Sequence, residues 1–291
     1  MSSESYRFEV GSFECIAISD GTFTYPYPSQ NVFINFFVNA PEERLKRVLR
    51  DHNLDPEHWE EYVSPYICLV ISKGQRHVLV DTGAGSFAPT TGKLIPHLEA
   101  EGISPEDIDI VILTHGHPDH IGGIIDKEGN PAFPHARYVM WKDEWDFWTS
   151  EPNLDELKIS DHGKGLLIKV AQDNLLPLRD RINLVSHETE IVPGIRVISA
   201  PGHTPGHMVV EVISGSDQLL HISDTVLHPI HLEEPEWYSA VAINPHQVVE
   251  TRSRILDIAS KKNVLTLASH FTFPGLGHVV LKEGRWQWQP I

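Results

Sequence analysis

Cysteine is scarce in this sequence. Only Cys15 and Cys68 occur among the 291 residues, and both stand in apolar, strand-like contexts. The dense disulfide framework of small secreted domains is therefore excluded. We expect two buried, reduced thiols, with a single disulfide between them as the alternative.

Basic residues are also few. Lys and Arg together number 23 against 40 Asp and Glu, which gives a formal net charge of −17 at pH 7. A strongly acidic protein repels the phosphates of nucleic acids and of anionic membrane surfaces. We therefore expect neither nucleic acid nor a membrane as a partner.

Long apolar runs are missing. No stretch approaches the roughly 18 consecutive apolar residues that a membrane-spanning helix needs. The first ten residues, MSSESYRFEV, have neither the basic nor the apolar region of a secretory signal. A cytoplasmic location is the simplest expectation.

Strand and helix patterns are instead mixed along the chain without strict alternation. Residues 66–72 and 77–80 flank the segment KGQR, which predicts a hairpin, and residues 162–176 predict an amphipathic helix. Such a mixture predicts an α/β (mixed α+β) fold. Two mixed sheets would pack face to face with helices outside, in a four-layer αββα sandwich.

The domain organisation is expected to be simple. The sequence has no repeat of fixed period and no low-complexity linker, so residues 1–291 are expected to form one domain. Within it, residues 1–60 would include an N-terminal strand over 7–19 and a loop-helix extension with a helix over 42–54.

A dense group of potential metal ligands, THGHPDHIGG, follows a run of apolar residues. His115 and His117 project to the same side if the strand stays extended, so they can share one metal ion. Pro118 forces a turn, which leaves Asp119 and His120 free to serve a second ion. Any one of the 18 histidines taken alone is more often an ordinary surface or core residue. Three of them beside an aspartate at this spacing predict a two-metal site.

Three polar residues further along the chain, His203, Asp224 and His270, also stand directly after or close to apolar strands. Ligands collect where loops project side chains from the ends of strands, so these ends could converge on one site. The carboxylate of Asp224 would bridge two ions with its two oxygens. The other expected ligands are His115, His117 and His203 for the first ion, and Asp119, His120 and His270 for the second.

Five imidazoles and two carboxylates suit two divalent metal ions. We expect zinc first, with iron, manganese or cobalt as alternatives. Asp81 ends another apolar strand, where an unpaired carboxylate is costly. It is expected either to hydrogen-bond a metal-bound imidazole or to form a turn. His207 is expected to form a hydrogen bond near the metals.

Roles remain to be assigned to the other histidines and to several aromatic residues. The histidines expected to lie outside the ligand set are His221, His228, His231 and His278. Aromatic side chains could line an apolar pocket or pack in the core. The candidates are Phe33, Phe36, Phe87, Trp145, Trp148, Trp237 and Phe273.

The order and contexts of these residues resemble the metallo-β-lactamase superfamily over about residues 60–280. Its HxHxDH motif matches the first four ligands, and its later ligands match His203, Asp224 and His270. The resemblance implies the αββα fold independently of the pattern argument. True β-lactamases of this fold lack a bridging aspartate, so Asp224 points to the lactonase, glyoxalase II and phosphotriesterase branches.

Two details of the sequence indicate which branch of this superfamily the chain resembles. Acyl-homoserine-lactone lactonases carry a tyrosine three residues after the bridging aspartate, whereas this chain has Leu227, which weakens a quorum-quenching assignment. The segment FPGLGH over 273–278 is most similar to the methyl parathion hydrolase-like group. Members of that group often hydrolyse lactones and esters as well as phosphotriesters.

The expected activity is that of a dinuclear metal-dependent hydrolase. Two bridged cations lower the pKa of a shared water, and the resulting hydroxide attacks a lactone or ester carbonyl or a phosphotriester phosphorus. Asp119 and Asp224 are the expected catalytic residues, the first holding or relaying a proton and the second bridging the ions. A small uncharged substrate suits an acidic protein, and the resemblance makes a homodimer a further expectation.

Three alternatives stay open. A mononuclear iron enzyme of the same fold, similar to persulfide dioxygenases, would use His115, His203 and Asp224 alone. A glyoxalase II-like thioesterase would use the full ligand set. A binding module without catalysis would hydrolyse nothing after metal reconstitution.

Overall fold

The computed structural model describes residues 4–26, 35–55, 61–262 and 264–291. Within them, the strands form two seven-stranded sheets, each with its strands in sequence order. The first sheet contains β1 (Ser5–Val10), β2 (Phe13–Pro26), β3 (Glu61–Lys73), β4 (Arg76–Val80), β5 (Ile108–Ile112), β6 (Arg137–Trp141) and β7 (Ile182–Val185). The second contains β8 (Thr189–Val192), β9 (Ile195–Ser199), β10 (Met208–Ser214), β11 (Asp217–His221), β12 (Leu265–Leu267), β13 (Leu276–Lys282) and β14 (Arg285–Pro290).

Both sheets are mixed, as the sequence predicted. In the first, β1 to β4 pair antiparallel and β4 to β7 pair parallel. In the second, β11 and β12 pair parallel, whereas the other neighbours pair antiparallel. The parallel strands β4 and β5 end side by side, and this edge carries the histidine-rich segment.

The four layers are visible in β3, a strand whose two faces are both covered by other parts of the protein. In β3, Ile67, Leu69 and Ile71 belong to a core between the two sheets. The alternate residues Cys68 and Val70 belong to a core under the helices that cover the first sheet. Since successive side chains point to opposite faces, a strand covered on both sides reads as a continuous apolar run. A third core lies on the outer face of the second sheet. The predicted αββα sandwich is confirmed.

The helices lie in the loops between strands. The described α-helices are Glu42–Asp51, Leu94–Ala100, Pro118–Ile121, Lys142–Thr149, Asp161–Leu175, Ile230–Glu233 and Pro245–Lys262. Short 3-10 helices cover Gly85–Phe87, Pro105–Asp107, Leu176–Leu178 and Ser223–Thr225. Among the described residues, no helix combines the length and the apolarity that crossing a membrane requires.

The N-terminal region differs from its prediction. A single strand was expected over 7–19, but Gly11 adopts a φ of 56° and turns the chain, which separates β1 from β2. β2 then continues to Pro26, beyond residue 19, where the predicted strand ended. A positive φ is accessible to glycine without steric cost, so this turn forms inside an apparently continuous strand pattern. Cys15 and Cys68 are free and buried, as expected.

Candidate metal centre

The seven predicted ligands fall into two compact groups. Within each group the potential ligand atoms all lie within 4.8 Å of one another. One group is His115, His117, His203 and Asp224, and the other is Asp119, His120 and His270. The sequence assigned these histidines and Asp119 to the same two sets and expected Asp224 to be shared between them.

Strand ends from both sheets supply these residues. His115 and His117 follow β5, and the short helix Pro118–Ile121 begins with proline at its first turn, so the chain reverses there. From the second sheet, His203 lies between β9 and β10, and Asp224 follows β11. His270 follows β12. The candidate site therefore lies where strand ends of the first sheet meet strand ends of the second.

Asp224 lies between the two groups. Its Oδ2 is 3.2 Å from Nε2 of His203 and 3.7 Å from Nε2 of His115. Its Oδ1 is 3.1 Å from Nε2 of both His120 and His270. Each carboxylate oxygen thus faces one group, which is the geometry expected of a residue shared by two cations. Asp119 faces the second group, with Oδ2 3.5 Å from Nε2 of His270.

Asp81 contacts an imidazole, as the sequence suggested. Its Oδ2 lies 2.7 Å from Nδ1 of His120, and its Oδ1 accepts a hydrogen bond of 2.8 Å from the backbone N–H of Thr114. Asp81 is buried and adopts a φ of 62°. The carboxylate fixes the ring so that the opposite nitrogen, Nε2, faces Asp224.

His207 touches the backbone of the bridging residue. Its Nδ1 lies 2.9 Å from the carbonyl oxygen of Ala200, and its Nε2 accepts a hydrogen bond of 3.2 Å from the backbone N–H of Asp224. These two bonds define a neutral ring with the proton on Nδ1, since Nε2 must be an acceptor. Burial, together with repulsion from His203, lowers the pKa of His207 to about 3.

Glu144 is a further buried residue of this site, and no local sequence pattern distinguished it. It lies in the helix Lys142–Thr149, and its Oε1 accepts hydrogen bonds of 2.8 Å from the backbone N–H of Gly116 and 2.7 Å from Nε1 of Trp148. Its Oε2 accepts a bond of 2.8 Å from the backbone N–H of Gly206. One carboxylate thus joins the loop of His115 and His117 to the loop of His203.

The pKa values of the histidines shift in opposite directions in the two ligand groups. Burial, and then repulsion from neighbouring imidazoles, lowers the pKa of His115 and of His117 well below the usual value. Burial also disfavours charge on His120, but the carboxylates of Asp224 and Asp81 outweigh it and raise that pKa well above the usual value. For Asp224 the neighbouring imidazoles outweigh burial and hold the carboxyl pKa well below the usual value.

The residues fit divalent metal ions. The Nε2 atoms of His115 and His117 are buried and have no hydrogen-bond partner among the described residues. Such atoms are costly unless something pairs with them. Neutral imidazoles and ionised carboxylates are the forms that bind metal. The donor set of nitrogen and oxygen, without a thiolate, is compatible with zinc and with other first-row divalent ions.

A cavity of about 310 Å³ opens onto the candidate ligands. Its polar end is formed by His117, Asp119, Asp224 and His270, and apolar side chains form most of the rest. None of the described residues that line it is a lysine or arginine. The cavity therefore offers an uncharged molecule an apolar wall and offers an anion no basic side chain.

The aromatic candidates divide between cavity and core. Phe36 and Phe87 line the cavity, together with Phe23, Tyr25 and Tyr66, which the sequence had not suggested. Leu227 also lines it. Phe33 lies outside the described residues. The remaining four candidates pack in hydrophobic cores: Trp145, Trp148, Trp237 and Phe273.

The other histidines lie outside the two groups. His221 is buried with Nε2 3.3 Å from Oγ of Ser269, and Nδ1 of His278 lies 3.1 Å from the carbonyl oxygen of Val264. The rings of His228 and His231 pack against Phe37.

Known proteins resemble this chain in sequence and in structure. Residues 63–270 match the family model described as the Metallo-beta-lactamase superfamily. An N-acyl homoserine lactonase from Bacillus sp is 26% identical over 180 residues, which make up 54% of this chain and 63% of that protein. The match thus spans less than two thirds of that relative.

Two solved structures are similar over nearly their whole length. AidC, described as a dizinc quorum-quenching lactonase in complex with a product, has a TM-score of 0.89 at 25% identity and covers 100% of this chain and 99% of its own. AbOPH, described as a hydrolase in the beta lactamase superfamily, has a TM-score of 0.87 at 28% identity and covers 100% and 98%. The family match, which spans most of the chain and contains all seven candidate ligands, shows that the chain belongs to the metallo-β-lactamase superfamily.

Proposed function

We propose that this protein is a metal-dependent hydrolase of the lactonase type that opens uncharged lactones and esters. The observation that carries the proposal is the position of Asp224. Each of its two oxygens faces one group of candidate ligands, at the polar end of a mostly apolar cavity. The described relatives with lactonase activity in their names support the same substrate class.

The proposal includes two divalent ions, with zinc first. His115, His117, His203 and Asp224 would hold one ion, and Asp119, His120 and His270 would hold the other together with Asp224. When bound, such ions lower the pKa of a water molecule to near neutrality and polarise a carbonyl group. The side chains of the protein would position the substrate and transfer the proton.

Apolar side chains of the cavity would position the substrate, and a carboxylate would transfer the proton that the departing oxygen takes up. Apolar side chains such as Phe36 and Leu227 would hold the hydrocarbon part of the substrate and exclude bulk water. Water adds to the carbonyl carbon, the ring C–O bond breaks, and the departing oxygen takes up a proton, so that a lactone becomes a hydroxy acid. Asp119 is placed to carry that proton, because its side chain is 18% exposed and its Oδ2 faces the site.

The alternative functions differ in whether Asp119, His120 and His270 hold a metal ion. A single-iron dioxygenase would leave Asp119, His120 and His270 without a metal, although their ligand atoms cluster within 4.8 Å. The clustering favours two ions. Phosphotriesters and thioesters would use the same two-ion centre, so substrates have to separate these activities from lactone hydrolysis.

A substrate panel on defined metal forms tests the proposal. The protein is stripped with a chelator, reloaded with zinc, and assayed with an aliphatic lactone, an aryl ester, an aryl phosphotriester and a thioester. We expect turnover of the lactone and ester, and a loss on the order of 1,000-fold or more in Asp224→Ala, since it removes a shared ligand. Asp217→Ala changes an exposed carboxylate on β11 and is the matched control.

Two outcomes would contradict this assignment. Undiminished lactone turnover in Asp224→Ala would remove the proposed centre from the reaction. One iron per chain, with oxygen uptake that depends on a thiol, would identify the dioxygenase instead.

A further inference from the structure

The long helix Pro245–Lys262 contacts two of the loops that the second sheet contributes to the candidate metal centre. Its consecutive residues Thr251 and Arg252 are buried, and the side chains of both donate hydrogen bonds to backbone carbonyl groups. Oγ1 of Thr251 donates a bond of 2.6 Å to the carbonyl oxygen of Pro201. This carbonyl group belongs to the loop that carries His203, so the helix is bonded to that loop.

Arg252 binds the loop of the shared carboxylate residue, Asp224. Its Nε donates a hydrogen bond of 2.8 Å to the carbonyl oxygen of Thr225, the residue directly after Asp224. Its Nη1 donates to the carbonyl oxygen of Pro235, also at 2.8 Å, and to that of Trp237. A single planar guanidinium therefore joins the beginning of this loop to its far end.

We propose that Arg252, together with Thr251, is a positioning residue of the candidate metal centre, which holds the loops of His203 and Asp224 at the separation that lets both side chains bind one ion. This inference rests on the proposed hydrolase function, because it concerns the same centre, and it adds two side chains from outside the ligand set.

The two ligands come from separate loops. His203 lies between β9 and β10, and Asp224 follows β11. Nevertheless, Nε2 of His203 lies 3.2 Å from Oδ2 of Asp224. Because a metal ion requires its ligand atoms at well-defined positions, a small shift of either loop would weaken binding. Contacts that fix the two loops relative to each other therefore contribute to metal affinity.

The helix gives the loop of His203 a close-packed support. A Cβ atom on Gly202 would lie 2.3 Å from the backbone nitrogen of Val248, so the two backbones approach at the distance that only glycine allows. Just before the helix, the backbone N–H of Asn244 donates a bond of 2.8 Å to the carbonyl oxygen of Gly202, and that of Ile243 donates one of 3.0 Å to His203. From this support, a side chain of the helix can hold the second loop.

The guanidinium group suits this role. A buried charge is costly unless it is hydrogen-bonded, and a guanidinium offers several N–H donors in one rigid plane. Burial lowers the pKa of Arg252 to about 9, so the group remains charged at neutral pH. Lysine would carry the same charge, but its compact ammonium group does not match acceptors that lie along a planar fork. Arg252→Lys therefore keeps the charge and loses the geometry.

Zinc affinity, measured by competition with a fluorescent chelator, tests the assignment in Arg252→Ala, Arg252→Lys and Thr251→Val. Leu256→Ala is the control for lost stability, because Leu256 is buried in the core outside the second sheet and lies on the same helix. Arg254→Ala is the control for a lost arginine, since Arg254 is exposed and donates to the carbonyl oxygen of Ser199. Thermal unfolding of the metal-free protein is measured on every variant.

The expected result is a loss of zinc affinity that depends on the geometry of the missing group. Arg252→Ala should lose about 10- to 100-fold, and Arg252→Lys and Thr251→Val about 3- to 10-fold. N-ethylguanidinium matches the part of the side chain that alanine removes, so at millimolar concentration it should restore most of the affinity of Arg252→Ala. Ethylammonium should not restore it. Leu256→Ala and Arg254→Ala should keep the affinity of wild type.

Three outcomes decide the inference. Unchanged zinc affinity in Arg252→Ala and Arg252→Lys would overturn the positioning role and leave the hydrolase intact. An equal loss in Leu256→Ala, without rescue of Arg252→Ala by N-ethylguanidinium, would also overturn it, because general destabilisation would explain both. If Arg252→Ala does not fold, Arg252→Lys and Thr251→Val decide in its place.

The same measurements separate this inference from the hydrolase proposal, because zinc affinity does not depend on turnover. A protein in which the Arg252 variants lose zinc affinity as expected, but in which wild type hydrolyses no lactone or ester, would overturn the proposed function and not the role of Arg252.

Discussion

The Oδ2 atom of Asp81 lies 2.7 Å from Nδ1 of His120, on the side of the ring opposite the nitrogen that faces Asp224. A carboxylate in this position fixes the tautomer and the orientation of an imidazole that binds metal. It also strengthens the ring as a ligand without touching the ion.

Asp81→Asn should therefore weaken metal binding while leaving the fold intact. We expect the affinity of the second group for zinc to fall about 10- to 100-fold, because His120 loses the charge that orients it. Competition with a fluorescent zinc chelator measures this affinity. Equal zinc affinity in Asp81→Asn and wild type would contradict the role, and Asp217→Asn, on the surface of β11, is the control.

Glu144→Gln should loosen the connection between the two ligand loops. The carboxylate accepts backbone hydrogen bonds from Gly116 and Gly206, and an amide would turn one NH2 group towards an N–H donor. We expect a loss of about 1 to 3 kcal/mol in the free energy of unfolding, the usual cost of one unsatisfied buried polar group. Urea unfolding of the metal-free protein measures it.

The control for that experiment lies on the same helix. Asp146→Asn changes an exposed carboxylate that pairs with Lys142, and it should alter stability by less than about 0.5 kcal/mol. Similar losses in the two variants would mean that the bonds from Glu144 are not responsible.

Gly116→Ala should disrupt the metal centre. A Cβ atom at this position would lie 2.3 Å from Cδ1 of Trp148, a buried ring that cannot move away easily. The loop between His115 and His117 would have to shift, so we expect zinc content after reconstitution to fall below that of wild type. Gly165→Ala is the control, since a Cβ there meets nothing within 4 Å. In the helix Asp161–Leu175, that change should stabilise the protein by up to about 1 kcal/mol.

His231 should make the protein less stable in acid. Its Nε2 lies 3.0 Å from the carbonyl oxygen of Phe36, and its Nδ1 accepts a bond from the backbone N–H of Leu227, which requires the neutral ring. Burial, followed by the charge of Arg252, lowers its pKa well below 6.5. The unfolded chain therefore binds a proton below about pH 6.5 that the folded protein rejects, so the free energy of unfolding falls as pH decreases.

Urea unfolding of metal-free protein between pH 5 and pH 7 tests this sign. One such group contributes a slope of up to about 1.4 kcal/mol per pH unit. His231→Gln should be less stable at pH 7 but should show a shallower slope. An unchanged slope in the variant would show that His231 is not one of the groups responsible.

The fold could be predicted because it depends on local periodicity, whereas the roles of the seven candidate ligands stay predictions. Alternating burial identifies strands such as β3, and the spacing of His115 and His117 with a proline after them separates two directions of projection. The N-terminal strand was less predictable, since the turn at Gly11 leaves the apolar pattern unbroken. That residues 1–291 form one domain stays a prediction.

Glu144 could not be predicted in the same way. Glu144 lies in an aromatic-rich helix, and its partners are backbone groups of loops that are distant in sequence. Positions defined by such tertiary contacts leave no periodic signal in the chain. The aromatic candidates divided between cavity and core for the same reason.

The origin of the ligands in two different sheets has a mechanical consequence. The first sheet contributes the residues after β5, and the second contributes His203, Asp224 and His270. Bound ions would add links between two β-layers whose common core is apolar. Because anything that binds only the native state stabilises it, the resistance of this protein to heat should rise with the supply of metal. Removal of metal should then loosen the sandwich first at the sheet ends that carry the candidate ligands.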